Sequence, residues 1–428
     1  MADVSTPTSP ATPAAPSADL PALREEYAAL QARGLALDLT RGKPSAAQLD
    51  LAEPMLALPG LGVHRDPDGT DVRNYGGLAG LPGLRRIFAE LLDVPAEQLL
   101  ALGNASLTLM HDAMTYAHLW GVPGSQQPWG REDKITFVCP VPGYDRHFTV
   151  CEAFGVQMVT VPMTPDGPDA EAVADLVAND PSIKGMWVVP TYANPDGAVV
   201  SQAVARRLVS MPTAAPDFRI FWDNAYAVHH LTEHETTSAD VLRLAAEAGN
   251  PDRPIMFAST SKISFAGAGV AFLAASPANI AWYTQHLSVQ SIGPDKINQL
   301  RHLMFFRDAE GVRAHMRKHR EILAPKFAAV DRVLTRRLGD RGVATWTRPQ
   351  GGYFVSLDVV PGTASRVVEL AAGAGIALTP AGATFPYGRD PQGSNIRLAP
   401  SMPPLAEVEE AMDAVATCVL LAAAEAAA

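Results

Sequence analysis

The chain has 428 residues, 47% of them hydrophobic, enough apolar material to bury a large core and to exclude an intrinsically disordered protein. At roughly 100–200 residues per domain, two or three domains are expected. A formal net charge of -11 gives no general attraction to nucleic acid or to anionic membranes, so chemistry on small molecules becomes the default expectation.

Residues 1–18 are rich in Pro, Ala, Ser and Thr and lack the positive start and apolar stretch of a signal peptide, which predicts a mobile N-terminal tail. Leu20, Leu23, Tyr27 and Leu30 recur at helical spacing and predict an amphipathic helix over 19–33, ended by Gly34. Residues 35–39 then alternate like a strand. From 98 to 275, apolar runs alternate with helical patterns: QLLAL, a helix over 105–120, KITFV, a helix over 145–154, VQMVTV, a helix over 169–178, GMWVV, a helix over 201–210, RIFW, PIMFAS and VAFLA. Such alternation predicts an α/β fold with a mostly parallel sheet flanked by helices, whose ligands bind where strands end at their carboxyl side.

After residue 306 the pattern changes. A long charged helix over 313–337 leads into TWTRPQGGYFVSLDV, a helix near 364–374, the run NIRLA and a closing helix from 404 onward. This is the order of a smaller α+β domain. The expected organisation is a tail over 1–18, an N-terminal part of the small domain over 19–51, a large domain over 52–306 and a small C-terminal domain over 307–428. No apolar run approaches the ~20 residues needed to span a bilayer. Cys139, Cys151 and Cys418 form no C-x-x-C pair, and their odd number fits a reducing compartment, hence a cytoplasmic location.

Five strand ends carry candidate chemistry. Gly103-Asn104-Ala105-Ser106 joins a strand to a helix start, where exposed N–H groups and a hydroxyl suit a phosphate, although Ser or Asn there is more commonly only a cap. Pro142-Gly143-Tyr144 offers an aromatic ring, Asn194-Pro195-Asp196-Gly197 an amide, Asp223-Asn224-Ala225-Tyr226 an acid and a phenol, and Ser259-Thr260-Ser261-Lys262 an amine. Each alone has an ordinary explanation as a turn, a loop cap or a solvated lysine. Together they supply what a pyridoxal ring needs: a carboxylate for the ring nitrogen, donors to the phenolate oxygen, an aromatic face, a phosphate cup and a nucleophilic amine. His111 with His118 and His229 with His230 lack the further ligands of a metal site, so no metal is expected.

From about residue 35 to 420 the chain resembles the class I/II aminotransferases, the aspartate aminotransferase family of fold-type I enzymes, with features such as R-G-K-P at Arg41 to Pro44 similar to the divergent type Ic subgroup. The resemblance implies pyridoxal 5'-phosphate (PLP) as cofactor, with Lys262 as its Schiff-base lysine and proton shuttle. It implies Asp223 as partner of the ring nitrogen, with His147 supporting it from behind, Tyr226 and Asn194 as donors to the ring oxygen, and Tyr144 stacked on the ring. Asn104, Ala105, Ser106, Ser259 and Ser261 would share the phosphate. Tyr75, in N-Y-G-G-L-A-G-L, would reach the phosphate of a neighbouring subunit, which implies a homodimer. Arg397, in S-N-I-R-L-A-P-S, would grip the substrate α-carboxylate, for which a planar guanidinium is suited. Gly42 would lie against the substrate.

Two departures stand out. The arginine that most of the family places after the lysine to pair with the phosphate is replaced by Gly269. The region 285–292 also lacks the arginine that reads a second substrate carboxylate, which makes Arg41 the leading candidate for that task, ahead of Lys43 and Lys296. The activity implied is transfer of an amino group between an amino acid, aspartate first, and a 2-oxo acid, 2-oxoglutarate first. The alternatives are an aminotransferase for aromatic or neutral amino acids, a PLP-dependent lyase or decarboxylase, and a PLP-binding regulator. Neither nucleic acid nor membrane is expected as a partner.

Overall fold

The computed structural model describes residues 20–428, so the tail expected over 1–18 lies outside the described residues. In chain order the strands are β1 (Leu37–Asp38), β2 (Leu99–Ala101), β3 (Thr136–Val141), β4 (Gln157–Thr164), β5 (Gly167–Pro168), β6 (Ile183–Val188), β7 (Arg219–Asp223), β8 (Pro254–Ser259), β9 (Ala271–Ala275), β10 (Ala344–Trp346), β11 (Val355–Val359), β12 (Ile376–Ala377) and β13 (Asn395–Leu398). Eight of them form one sheet in the order β2-β9-β8-β7-β6-β3-β4-β5. The neighbours from β8 to β4 pair in parallel, whereas β9 runs antiparallel to both β2 and β8.

The central strands are continuous apolar runs because both faces of this sheet are covered. Successive residues alternate between two cores. Val138, Met186, Val188, Ile220, Trp222, Met256 and Ala258 face one of them. Phe137, Cys139, Trp187, Phe221, Ile255 and Phe257 face the other, with Cys151 among their neighbours. A third core surrounds the small antiparallel sheet β10-β11-β13 and contains Cys418. The N-terminal segment belongs to it: Leu23, Leu30, Leu37 and Leu39 are buried there, and β1 pairs with β12 through Leu37 and Ile376.

The helix Ala309–Leu338 joins the cores. Thirty residues span about 45 Å at 1.5 Å per residue. Val312 and Met316 near its start pack into the first core, and Leu323 to Leu338 into the third. On this basis we propose the division into a large unit over 52–306 and a small unit made of 19–51 and 307–428.

Candidate active site

Strands β2, β3, β6, β7 and β8 run in one direction, so the segments that follow them meet at one edge of the sheet. Asp223 is the last residue of β7 and is buried. His147, on the first turn of the helix Asp145–Ala153, places Nε2 3.0 Å from Asp223 Oδ2. The imidazole is in turn stacked on Trp187, with centroids 4.4 Å apart and planes 8° apart. The other carboxylate oxygen, Oδ1, is buried with no hydrogen-bond partner. A buried carboxylate held on one side and open on the other is costly unless a donor, preferably a charged one, meets it.

Lys262 follows β8 in a turn and is half-buried, its ammonium 5.0 Å from the centre of the Tyr226 ring. Burial lowers its pKa from the ordinary lysine value, while the charge of Asp223 acts the other way. The Tyr226 phenol is pushed up well above its ordinary value, first by burial and then by Tyr144 and Asp223. Tyr144 is pushed up to about 12, again mainly by burial. Both phenols therefore stay protonated near neutrality and can donate.

Asn104, Ala105 and Ser106 lead into the fifteen-residue helix Ser106–Trp120, and Ser261 Oγ reaches back to Asn104 O at 3.4 Å. Ser259 Oγ donates to Ser261 Oγ at 3.1 Å. This groups both serines with the helix start, a site suited to a phosphate. Gly269 lies against the same cluster. A Cβ there would stand 3.1 Å from Thr260 Oγ1, 3.2 Å from Asn104 O and 3.3 Å from Ser261 N. The glycine thus has a packing reason, since any side chain there would press on the cup and make its neighbours give by a few tenths of an ångström.

Arg397 comes from the small sheet, opposite Ser356 of β11, and is buried. Its guanidinium lies 5.0 Å from the centre of the Phe354 ring, and Nη1 donates to Asn194 Oδ1 at 3.4 Å and to Asp145 Oδ1 at 2.7 Å. Asn194 thus gives its amide oxygen to Arg397. Gly42 closes the stack from below: a Cβ on it would sit 2.6 Å from the Phe354 ring. Arg41 and Lys43 are exposed beside it. Lys296 instead turns inward and donates to the carbonyls of Asn74, at 2.8 Å, and Gly76, which removes it from the candidates for a substrate carboxylate. Tyr75, in the loop so held, is 82% exposed.

Sequence reasoning passed over Asp145, Phe354 and Trp187. An acid at the first position of a helix reads as a partner for the helix end, and the two aromatics read as core. It also passed over a buried chain behind Lys262: Gln48 Nε2 bonds Tyr353 Oη at 2.8 Å and His319 Nδ1 at 3.0 Å, and His319 meets His315 at 3.1 Å. His315 in turn bonds the carbonyl of Ile263 at 2.8 Å. Among the described residues no group of three His, Cys, Asp or Glu could hold a metal, and no helix is long and apolar enough to cross a membrane.

Comparison with known proteins gives the family. The aspartate aminotransferase of Corynebacterium glutamicum is 57% identical over 403 residues, covering 94% of this chain and 93% of that protein. The crystal structure of an aspartate transaminase from the same species superposes with a TM-score of 0.94 at 56% identity, covering 96% of each chain. At 21% identity, an α-aminoadipate aminotransferase from Thermus thermophilus, complexed with N-(5'-phosphopyridoxyl)-L-leucine, shares the fold with a TM-score of 0.74 over 93% of this chain and 97% of its own. The family model described as aspartate amino-transferase matches residues 12–428, and the chain belongs to that family.

Proposed function

We propose that the protein is a PLP-dependent aspartate aminotransferase that passes the amino group of aspartate to 2-oxoglutarate by a ping-pong mechanism. The observation that carries this reading is Asp223, with Oδ2 fixed by His147 and Oδ1 buried without a partner, as required opposite a protonated ring nitrogen. The residues fit the cofactor: Asp223 for the ring nitrogen, Asn194 and Tyr226 for the ring oxygen, Tyr144 for the ring face, and Asn104 to Ser106 with Ser259 and Ser261 for the phosphate. Bound there, PLP supplies an electron sink for negative charge at the amino acid's α-carbon.

Lys262 Nζ would hold the cofactor and, as a free amine, would take the proton from the substrate α-carbon as general base. Its burial, which disfavours the ammonium form, suits both tasks. Asp223 holds a proton on the ring nitrogen, and His147 holds Asp223. Arg397 orients the substrate by its α-carboxylate, and Arg41 reads the second carboxylate.

A homodimer in the cytoplasm completes the proposal. It is supported by the exposure of Tyr75 and Ile292 at 82% and 63%, on two loops that touch where Gly293 packs against Gly76, and of Val289 at 83% at the end of the adjoining helix Pro277–Gln290. Three buried free thiols are in keeping with a reducing compartment.

Replacing Lys262 by Ala should abolish turnover and leave the fold intact. Borohydride reduction of the holoenzyme should fix the cofactor to the peptide containing Lys262, and fixation on another lysine would remove the basis of this reading.

A further inference from the structure

Arg397, in the reading proposed above on which this inference rests, grips the α-carboxylate of the substrate. Yet the guanidinium already has a carboxylate partner within its own chain, Asp145, 252 residues away in sequence and 2.7 Å away in space. We propose that Asp145 is an internal competitor: its carboxylate occupies Arg397 until the substrate's α-carboxylate displaces it, and so sets the affinity for every amino acid and 2-oxo acid the site accepts.

Three observations support displacement over a permanent triad. The first is charge. Asp145 neutralises Arg397, so a second carboxylate added to the pair would give a net negative cluster in a partly buried site that already contains Asp223, where like charges are poorly screened. The second is which partner can move. Arg397 has a side chain only 6% exposed, is fixed to β13, lies over the Phe354 ring and bonds Asn194. Asp145 is 30% exposed and can turn to water. The third is where the displaced acid goes. Asp145 begins the nine-residue helix Asp145–Ala153, whose N-cap residue Tyr144 makes no side-chain cap bond. The N–H of His147 already donates to Tyr144 O at 3.0 Å, but the positive end of the helix dipole still favours a carboxylate there. Asp145 therefore has an alternative resting place, and Arg397 does not.

The pair also links the two units, because Asp145 follows a strand of the large sheet and Arg397 belongs to the small one. Substrate binding exchanges an internal cross-link for one made through the ligand.

If Asp145 holds Arg397 in about nine molecules of ten, it raises the apparent Kd of an α-carboxylate ligand about tenfold. The test uses the holoenzyme, with succinate binding followed by calorimetry and KM for aspartate by assay. In Asp145→Asn, which keeps shape and a neutral acceptor, both constants should fall by roughly tenfold, with the change carried by KM and Kd in preference to kcat. Asp145→Ser, which removes the charge and keeps a small polar side chain, should give the same result should the Asn variant fold poorly. Arg397→Ala serves as reference and should weaken succinate. An unchanged or raised Kd in both Asp145 variants, with Arg397→Ala still weakening binding, would overturn the competitor role while leaving the assignment of Arg397. No loss in Arg397→Ala would instead overturn the reading of Arg397 itself.

Discussion

Asp196 shows how a single side chain ties stability to pH. Burial pushes its carboxyl up to about 7, against the bond that its Oδ1 accepts from Ala198 N at 3.0 Å. The folded state therefore keeps a proton that the unfolded chain has already lost. Stability is full below the unfolded value near 4 and is lost as pH rises toward 7. Asp196→Asn should be neutral near pH 4 and should stabilise the protein at pH 8 by about 1–3 kcal/mol, after allowing for partial contact with water. Denaturant titrations at the two pH values check this, and equal effects at both would contradict it. Arg41 poses a question of specificity. It is exposed, one residue before the glycine that packs under Phe354, so it stands next to the residues that position Arg397. When bound aspartate desolvates the pair, loss of one member costs about 2–5 kcal/mol, so Arg41→Ala should lower kcat/KM for aspartate about 30-fold or more. Alanine as donor should be little affected; equal losses for both donors would mean that Arg41 shapes the loop without reading the side chain.

Helices and strands with a clean hydrophobic period were readable in the sequence, as β8 over Pro254–Ser259 and the helices at Leu20–Ala32 and Gln202–Ser210 illustrate. The helix Lys296–Phe306 was not, because it buries Lys296, Gln299 and His302 along with its apolar residues, and the period is lost. Pro82–Leu92 follows a glycine-rich run that reads as loop, and Val241–Glu247 is too short to show a period. The antiparallel direction of β9 left one trace: residues 260–270 connect it to β8 with no helix, and a parallel neighbour would have required a crossover. Such elements are held by specific polar contacts that no periodicity reports. Gln48, on the short helix Ala46–Asp50, bridges Tyr353 and His319 in full burial. Gln48→Leu leaves both without that partner, at about 1–3 kcal/mol for each unsatisfied group. A fall of this size in unfolding free energy is expected, and a change below 0.5 kcal/mol, the ordinary surface range, would show that the chain behind Lys262 contributes little.

On the scale of the whole molecule, the site's inventory was legible because its members sit in short motifs at strand ends, each next to a strong strand signal. Its cross-connections were not. Arg397 and Asp145 are 252 residues apart and come from different units, and Gln48 and Tyr353 are 305 apart within the small unit, so only tertiary packing brings each pair together. Gly269 looked like a missing cation, and only the crowding by Thr260, Asn104 and Ser261 explains it. The helix Ala309–Leu338, rooted in two cores, makes a different kind of statement about the molecule. Cys139 lies in one face of the large sheet and Cys418 in the small unit, and burial pushes the first thiol well above its ordinary value and the second up to about 12. Since only an exposed thiolate reacts, alkylation of either reports a transient opening of its surroundings. A shared helix means that neither half can open far without disturbing the other. Alkylation of Cys139 and Cys418 should therefore accelerate with denaturant along a common slope, whereas separate slopes would reveal two independently breathing halves. The two native thiols thus form a built-in gauge of whether the protein opens as one body, readable by mass spectrometry without any mutation.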